Sequence, residues 1–272
     1  MTQLIKFLYR NILESGTVTV TSEDTAYPKY RLYDRDIGKL SKKTAQSLLL
    51  YGSGHLYGTG KKYGQGSSHV ISVDQGSSIY EIDRLIIPAG HNLSAMTIRL
   101  FGSSDNFISD TLLALEWTQS NANLIDKPFT AATKRYWRIQ ITKPGTSIAP
   151  EIAEIFLTKS YEFLRNPSYG LIEGYRDNVY REESSSGIPY KTERGEIRKH
   201  RQYSLTKIGS TQKTDMEAAG LATRQTLKPF YIEDHAGNVF FAELLAPLQF
   251  RMEHEGRYAC DLELLEVLGQ TT

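Results

Sequence analysis

The sequence predicts a mainly β protein of two units, a β-sandwich followed by a β-rich unit that contains one α-helix. Apolar and polar residues alternate in several short segments, which is the pattern of half-buried strands. The segments between them are rich in glycine, serine, asparagine and aspartate, as turns are. A single stretch, residues 211–227, has apolar residues at helical spacing. We therefore expect antiparallel sheets rather than strand-helix-strand units.

Residues 1–160 carry the clearest alternation. Val18 and Val20 alternate with threonines, Ile98 lies at the centre of another strand, and Trp137 shares a face with two isoleucines. The connections are too short and too polar for the crossover helices of about ten or more residues that parallel strands need. We predict that residues 1–160 form an antiparallel sandwich with Trp137 in its core.

The alternation weakens over residues 161–190, where glycine, proline and serine are frequent. This composition predicts a linker or long loop. The second unit is expected over residues 191–272. Its predicted elements are a long polar strand, the helix, two strands joined by a hairpin turn, and a final strand, at 191–208, 211–227, 230–232, 239–245 and 258–268. Thr214 and Glu217 fit a capping box at the start of the helix.

Composition excludes several classes of protein. The 272 residues have a formal net charge of +1, which provides no overall field for nucleic-acid or membrane-surface binding. The single cysteine, Cys260, excludes an internal disulfide and a cysteine-based zinc site. It is expected to be a small buried strand residue. The apolar stretch 4–13 is about half the length of a bilayer span, so we expect a soluble, unprocessed chain with no membrane insertion.

The sequence contains no motif with the residue spacing of a known catalytic, cofactor-binding or metal-binding site. The glycine-rich stretch 52–68 lacks P-loop spacing, and the six histidines contain no helical pair. A triad from His235 and a serine of 184–186 would lack a nucleophile elbow. Asp34 and Asp36 do not have the spacing of an EF-hand, and an ion-paired loop is the simpler interpretation. We predict no enzyme activity, no cofactor and no metal.

Two groups of residues are candidate contact sites. Tyr57, Lys61, Lys62 and Tyr63 lie among the glycines of stretch 52–68, and such loops suit adaptable contacts with a partner or ligand. A second group lies in the densest basic run of the chain and is the candidate subunit interface, consisting of Arg194, Arg198 and Arg201. On a strand these arginines would point to both faces, so a nucleic-acid stripe is not expected.

The first 160 residues resemble a discoidin (coagulation factor 5/8 type C) domain. The resemblance rests on short motifs in a fixed order: Tyr27-Pro28 with Leu32-Tyr33-Asp34, Val70 to Gly76, Gly102-Ser103-Ser104-Asp105-Asn106, and Arg135-Tyr136-Trp137-Arg138-Ile139. The bracketing cysteine pair of animal discoidin domains is absent. The resemblance implies a jelly-roll β-sandwich.

Nearly the whole chain is similar to discoidin-containing tail proteins of tailed bacteriophages. Further motifs carry this similarity: Ala89 to Ser94, Glu154 to Leu157, Arg201 to Leu205, Pro229-Phe230, and Asp261 to Val267. The similarity implies a structural virion protein of the tail tip or baseplate, made in the host cytoplasm. Like distal tail proteins, it would have a tail-tube-like second domain and form a ring, sixfold to match a tail tube. Its partners would be sister copies and the tube, hub and tape-measure proteins.

The alternative interpretation is a carbohydrate-binding module that recognises host surface glycans through loops at one end of the sandwich. Aromatic platforms would be its signature, and Trp117, Tyr57 and Tyr63 are the candidates. Trp117 lies in an alternating segment, which favours burial for this residue. Ring assembly would favour the tail protein, and binding of a monomer to glycans would favour the module.

Overall fold

The computed structural model describes residues 4–21, 26–36, 41–42, 68–143, 150–163, 171–176, 179–183, 189–193, 197–224 and 226–267. The chain divides into two compact units. We call Arg10–Ser160 the sandwich unit. The other unit consists of Met1–Tyr9 and Tyr161–Gln270, and we call it the split unit because two separate stretches build it.

Strands dominate the described residues, so the prediction of a mainly β fold is confirmed. The elements as far as residue 158 are β1 Lys6–Leu8, α1 Ile12–Ser15, β2 Thr17–Val20, a 3₁₀ helix Lys29–Leu32, β3 Ser41–Lys42, β4 His69–Asp74, β5 Glu81–Ile87, β6 Thr97–Ser103, β7 Leu112–Thr118, β8 Ile125–Thr133, β9 Tyr136–Thr142, β10 Glu151–Ile152 and β11 Phe156–Thr158. The remaining elements are β12 Tyr161–Glu162, β13 Ile172–Arg176, β14 Val179–Glu183, β15 Pro189–Glu193, β16 Arg198–Gly209, α2 Ser210–Ala222, β17 Phe230–Glu233, β18 Val239–Leu244, β19 Phe250–His254 and β20 Arg257–Glu266.

The sandwich unit has two antiparallel sheets around one apolar core. Five strands lie in the order β2-β4-β9-β6-β7, and three lie in the order β11-β5-β8. Inward residues of both sheets form the core, including Ile71, Trp137 and Ile139 from the first sheet and Leu85 and Leu157 from the second. Trp137 has no exposed surface, which confirms its predicted burial. The predicted amino-terminal sandwich is therefore confirmed.

A buried asparagine joins the first helix to the last strand of the sandwich unit. The Asn11 side chain accepts a hydrogen bond from the Leu13 amide at 3.2 Å, which caps α1. The same side chain donates to the Ile155 carbonyl at 2.7 Å and accepts from the Leu157 amide at 3.3 Å. These bonds satisfy buried backbone groups at the point where the unit begins and ends.

The split unit is built on one eight-stranded sheet. Its strands lie in the order β12-β1-β17-β18-β20-β16-β13, and β19 also pairs with β20. Strand β1 is antiparallel to both of its neighbours, with Phe7 opposite Tyr161 on one side and Ile232 on the other. The sandwich unit is therefore inserted in the chain between two strands that are neighbours in the sheet of the split unit.

The domain boundaries differ from the expected ones. Residues 1–9 were expected in the first unit, but Ile5 and Phe7 belong to the core of the split unit. Residues 161–190 were expected to be a linker, but β12, β13, β14 and the first residues of β15 lie there. Strand β13 is paired with β16 over five residues. The described residues of this region therefore lie mostly in strands, of which β13 is an edge strand with largely exposed side chains.

The predicted helix is present but begins earlier and ends sooner than expected. Helix α2 starts after Gly209, whose backbone occupies the N-cap position. The expected capping box is wrong: Thr214 lies inside the helix and donates to the Ser210 carbonyl at 3.1 Å. Met216 and Ala219 are buried on the core side, whereas Leu227 is exposed and lies beyond the helix.

The segment predicted as one long strand over 191–208 is interrupted. Strand β15 ends at Glu193 and pairs with β14, and β16 begins at Arg198. Strand β16 has neighbours on both sides, β13 and β20, so it does not lie at an edge of the sheet. The hairpin expected at 234–238 is present, and Asp234 accepts bonds from the Ala236 and Asn238 amides.

Candidate functional site

A polar surface with two aromatic rings lies on the outer face of the five-stranded sheet. Four strands reach the same level there, because Thr17 is opposite Asp74, and Tyr136 is opposite both Asp74 and Ser103. Side chains alternate across a strand, so Tyr136 and Asp74 face outward while Trp137 faces the core. The inward-facing residues of these strands build the core, and the outward-facing residues are available for binding.

The loop between β6 and β7 is organised by one carboxylate. The Asp105 side chain accepts hydrogen bonds from the Ser103 hydroxyl at 2.8 Å, the Ser109 amide at 2.8 Å and the Asp110 amide at 3.0 Å. It also accepts from the Ile108 amide at 3.2 Å and from the Ser109 hydroxyl at 2.5 Å. These bonds favour the ionised form and hold the pKa of Asp105 well below its usual range. The loop is thus fixed by its own side chains.

Asn106 and Phe107 have an unusual backbone conformation. Their φ angles are 60° and 64°, in the left-handed region that few residues other than glycine adopt. The Ser103 hydroxyl accepts a hydrogen bond from the Phe107 amide at 2.8 Å. Strained backbone of this kind occurs often at binding and catalytic sites. Here it brings the Phe107 ring to the outer face of the sheet, where the Arg138 guanidinium lies 3.9 Å from the ring centroid.

The loop between β6 and β7 and the strands beside it border an open cavity of about 250 Å³, which we call the outer-face pocket. Its residues come from β2, β4, β9 and the β6–β7 loop, and are Thr17, Thr19, Ser72, Val73, Asp74, Asn106, Phe107, Tyr136 and Trp137. Its polar groups are three hydroxyls, a carboxylate, an amide and a phenol, beside the Phe107 ring. Pockets for small ligands combine apolar surface with a few fixed polar groups in this way.

The carboxylate of the pocket is held in place by an arginine. Asp74 accepts two hydrogen bonds from Arg135, at 2.8 and 3.0 Å, and a third from the Gly76 amide at 2.8 Å. The Arg135 guanidinium lowers the pKa of Asp74. The carboxylate is therefore an ionised acceptor at neutral pH, with a fixed orientation.

The predicted contact residues lie elsewhere or outside the described residues. Tyr57, Lys61, Lys62 and Tyr63 lie outside the described residues, and so does Arg194. Their predicted roles stay predictions.

The two arginines of the predicted subunit interface that can be located have partners within the split unit. The Arg198 side chain donates to Glu243 at 2.8 Å and to the Glu266 carbonyl at 2.9 Å. Arg201 is almost fully buried, with its guanidinium 3.7 Å from the centroid of the Phe240 ring. These contacts stabilise the sheet, and the interface role of these arginines stays a prediction.

Three other residues noted in the sequence are partly or fully buried and contribute to packing or hydrogen bonding within their own unit. Trp117 packs partly against the sandwich core, and its indole nitrogen donates to the Gln119 side chain at 3.1 Å. Cys260 is buried, and burial raises the pKa of its thiol to about 11, as expected for an inert cysteine. His91 is buried and bonded to the Asn123 carbonyl at 2.9 Å, and burial lowers its pKa.

The loop around Asp34 resembles the expected ion-paired loop. The Arg35 side chain pairs with Glu14, and the Asp36 amide donates to the Asp34 carboxylate at 3.0 Å. The Arg35 amide donates to the buried Glu154 at 2.8 Å. Burial raises the pKa of Glu154. Among the described residues, no group of three or more His, Cys, Asp or Glu side chains is arranged to hold a metal ion. No helix in that part of the chain is long and apolar enough to cross a membrane.

The outer-face pocket is not among the sites predicted from the sequence. Residues 102–106 and 135–139 were identified there only as motifs of the discoidin resemblance, with Trp137 as a core residue. A usable signal was present in the outward residues of strand β9, since Tyr136 and Arg138 alternate with the core residues. The conformation of Phe107 has no comparable signal in the sequence.

Several solved structures are similar to part of this chain. No protein-family model matches the chain, and no curated protein matches it. One similar structure is chitosan-binding module 1 from a Paenibacillus chitosanase/glucanase, at 17% identity and a TM-score of 0.41, covering 56% of this chain and 98% of the module. Another is the family 32 carbohydrate-binding module of C. perfringens NanJ with galactose, at 16% identity and a TM-score of 0.40, covering 57% and 98%. A third is a Ruminococcus gnavus fucosidase with fucose, at 19% identity and a TM-score of 0.42, covering 57% of this chain and 28% of the enzyme.

Proposed function

We propose that the sandwich unit is a non-catalytic carbohydrate-binding module whose ligand lies in the outer-face pocket. The observation that carries the proposal is the arrangement of the Phe107 and Tyr136 rings beside the Asp74 carboxylate and the Asn106 amide. A sugar ring has an apolar face of C–H groups and a rim of hydroxyls. Aromatic rings cover the apolar face of the sugar, and carboxylate and amide groups bind its hydroxyls.

The polar groups of the pocket match the hydrogen-bonding of sugar hydroxyls. Each hydroxyl both donates and accepts. The Asp74 carboxylate is a strong acceptor because Arg135 keeps it ionised. The Asn106 amide both donates and accepts, and Thr17, Thr19 and Ser72 add further hydroxyls.

The pocket is formed before a ligand arrives. Five hydrogen bonds to Asp105 fix the loop that carries Asn106 and Phe107. A ligand therefore does not have to order this loop, and the conformational entropy lost on binding is smaller. A preformed shallow site of this kind suits recognition of a sugar rather than its chemical conversion.

Replacing either pocket ring by alanine is expected to weaken saccharide binding. A glycan array with the full-length protein first identifies a ligand, and calorimetry then gives its affinity. We expect about a tenfold loss or more for Phe107→Ala and for Tyr136→Ala, because central aromatic residues carry much of the binding energy of a site. Tyr30→Ala is the matched control, since Tyr30 is an exposed tyrosine of the same unit outside the pocket. Unchanged affinity in the two pocket variants would overturn the proposal.

We also propose, as a second role, that the split unit is an assembly module of a phage tail, of the distal tail kind, located in the virion. The resemblance of nearly the whole chain to discoidin-containing tail proteins supports this role. Strand β13 lies at a sheet edge, with Ile172 and Tyr175 largely exposed. An exposed apolar edge in a folded protein is usually covered or paired. Pairing with a sister copy would build a closed ring.

Changing the β13 edge is expected to prevent ring formation. Mass photometry of the purified protein should detect closed rings, sixfold according to the resemblance. The variant Tyr175→Glu places a charge on the edge strand and should give folded monomers. Leu221→Glu, which changes an exposed leucine of α2 in the same unit, is the control and should leave rings intact. A wild-type protein that stays monomeric at micromolar concentration, or rings that survive Tyr175→Glu, would contradict the assembly role.

A further inference from the structure

One arginine beside the outer-face pocket, Arg138, has no ion pair among the described residues, whereas its basic neighbours do. Arg138 lies on β9 directly opposite Ser72, a residue of the pocket, and two residues along the strand from Tyr136. Residues opposite each other in neighbouring strands have Cβ atoms about 5 Å apart. Arg138 is therefore on the outer face and at the border of the pocket.

The other basic residues near this end of the sheet are neutralised. Arg135 pairs with Asp74 at 2.8 Å and Lys134 with Asp110 at 2.7 Å. Arg99, on the same face of the neighbouring strand β6, pairs with Glu116 at 2.7 Å. The Nε atom of Arg138 is buried and has no hydrogen-bond partner in the described part of the chain. A buried N–H of a charged group without an acceptor is unfavourable.

The Phe107 ring fixes the orientation of this guanidinium. It lies 3.9 Å from the ring centroid, within the range of a cation–π contact. Phe107 is itself held by the Asp105 loop, so that the position of Arg138 is determined by the same hydrogen bonds that form the pocket. The arrangement leaves a planar, charged group beside the saccharide site, and its Nε atom has no acceptor among the residues that the structure describes.

We propose that the ligand of the outer-face pocket is an acidic saccharide, with a carboxylate of the uronic acid type bound by Arg138. This inference rests on the proposed carbohydrate-binding function and specifies the class of sugar. The parallel N–H groups of a guanidinium match the two oxygens of a carboxylate. Asp74 does not repel this ligand strongly, because Arg135 neutralises it.

The test compares acidic and neutral saccharides of the same size with the full-length protein. Calorimetry is run with a uronic acid trisaccharide and with its carboxyl-reduced neutral counterpart. The wild type should bind the acidic form about tenfold more tightly or better, which corresponds to about 1.4 kcal/mol. Arg138→Gln should abolish this difference and leave affinity for the neutral form within about threefold of wild type. Arg138→Lys should restore only part of the difference, because a lysine lacks the planar pair of donors.

Controls separate this inference from the proposed function. Arg99→Gln removes a paired arginine of the same sheet face and should leave both affinities unchanged. Thermal melting checks that each variant is folded. Equal wild-type affinity for the two saccharides, or binding of neither, would overturn the acidic-ligand inference. The proposed function is overturned separately, if the glycan array shows no ligand or if Phe107→Ala and Tyr136→Ala leave the affinity unchanged. Inorganic phosphate that displaces the acidic saccharide as well as free glucuronate does would indicate a general anion site and would also overturn the inference.

Discussion

Replacing Phe7 by alanine is expected to destabilise the split unit by about 3–5 kcal/mol, the usual cost of truncating a buried aromatic residue. Phe7 has 1% of its surface exposed. Its ring makes edge contacts with Phe163 at 4.6 Å and Phe230 at 5.2 Å between centroids. Strand β1 lies between β12 and β17, so loss of its main anchor weakens two strand pairs.

The two tryptophans make this prediction measurable for each unit separately. Trp117 and Trp137 are the two tryptophans of the chain, and both lie in the sandwich unit. Tryptophan fluorescence therefore follows unfolding of the sandwich unit, and circular dichroism follows both units. Phe7→Ala should shift a dichroism transition and leave the fluorescence transition in place. Leu221→Ala, which truncates an exposed side chain of the split unit away from the β13 edge, should have little effect. A fluorescence transition that shifts instead would assign residues 1–9 to the sandwich unit.

Replacing Trp137 by alanine is expected to destabilise the sandwich unit by about 3–5 kcal/mol. The side chain is fully buried, and its indole nitrogen donates to the Lys134 carbonyl at 2.9 Å. The ring also packs closely on Gly102, where an added Cβ would lie 3.1 Å from a ring carbon. Truncation would therefore leave a large cavity and remove one of two hydrogen bonds to the Lys134 carbonyl, the other being donated by the Gln75 side chain at 2.9 Å.

Denaturant unfolding followed by the fluorescence of the remaining Trp117 tests this second prediction. The matched control is Trp117→Ala, followed by the fluorescence of Trp137. Trp117 lies on the edge strand β7 and is only partly buried, so its loss should cost clearly less. A free energy of unfolding that falls by less than about 1 kcal/mol in Trp137→Ala would contradict its position in the core.

The sequence predicts those parts of the fold that are determined by residues close together in the chain. Alternation is sufficient to locate β9 and to identify Trp137 as a core residue. Asp234 and Gly237 mark the hairpin between β17 and β18, where Gly237 has a φ of 85°. In each case the residues that determine the structure are close together in sequence.

The place of β1 in the sheet of the split unit was not predictable in this way. Strand β1 has three residues, and Lys6 forms its ion pair with Glu233, 227 residues later in the chain. A segment of that length carries too little periodicity to show which sheet it joins. The surroundings of the β16 charges also have no local signal, because Arg201 is buried against the ring of Phe240, which lies on a strand two places away in the sheet.

Only part of the outer-face pocket could be predicted from the sequence. The outward residues of β9 could have been identified from alternation, since Tyr136 is polar and aromatic on a strand whose other face is apolar. The position of Phe107 could not, because it results from two left-handed residues held by Asp105. Such a conformation runs against local propensity and forms only when surrounding bonds determine it.

Chemical-shift mapping of the bound saccharide is the most direct test of the central claim, that the outer-face pocket binds carbohydrate. The measurement uses isotope-labelled full-length protein titrated with the highest-affinity saccharide from the glycan array. Amide shifts are expected to be concentrated in residues 103–110 and at Thr17, Ser72 and Tyr136. The same titration of Tyr136→Ala should show these shifts only at much higher ligand concentration. Shifts confined to another surface, with residues 103–110 unchanged at saturation, would contradict carbohydrate binding in the outer-face pocket.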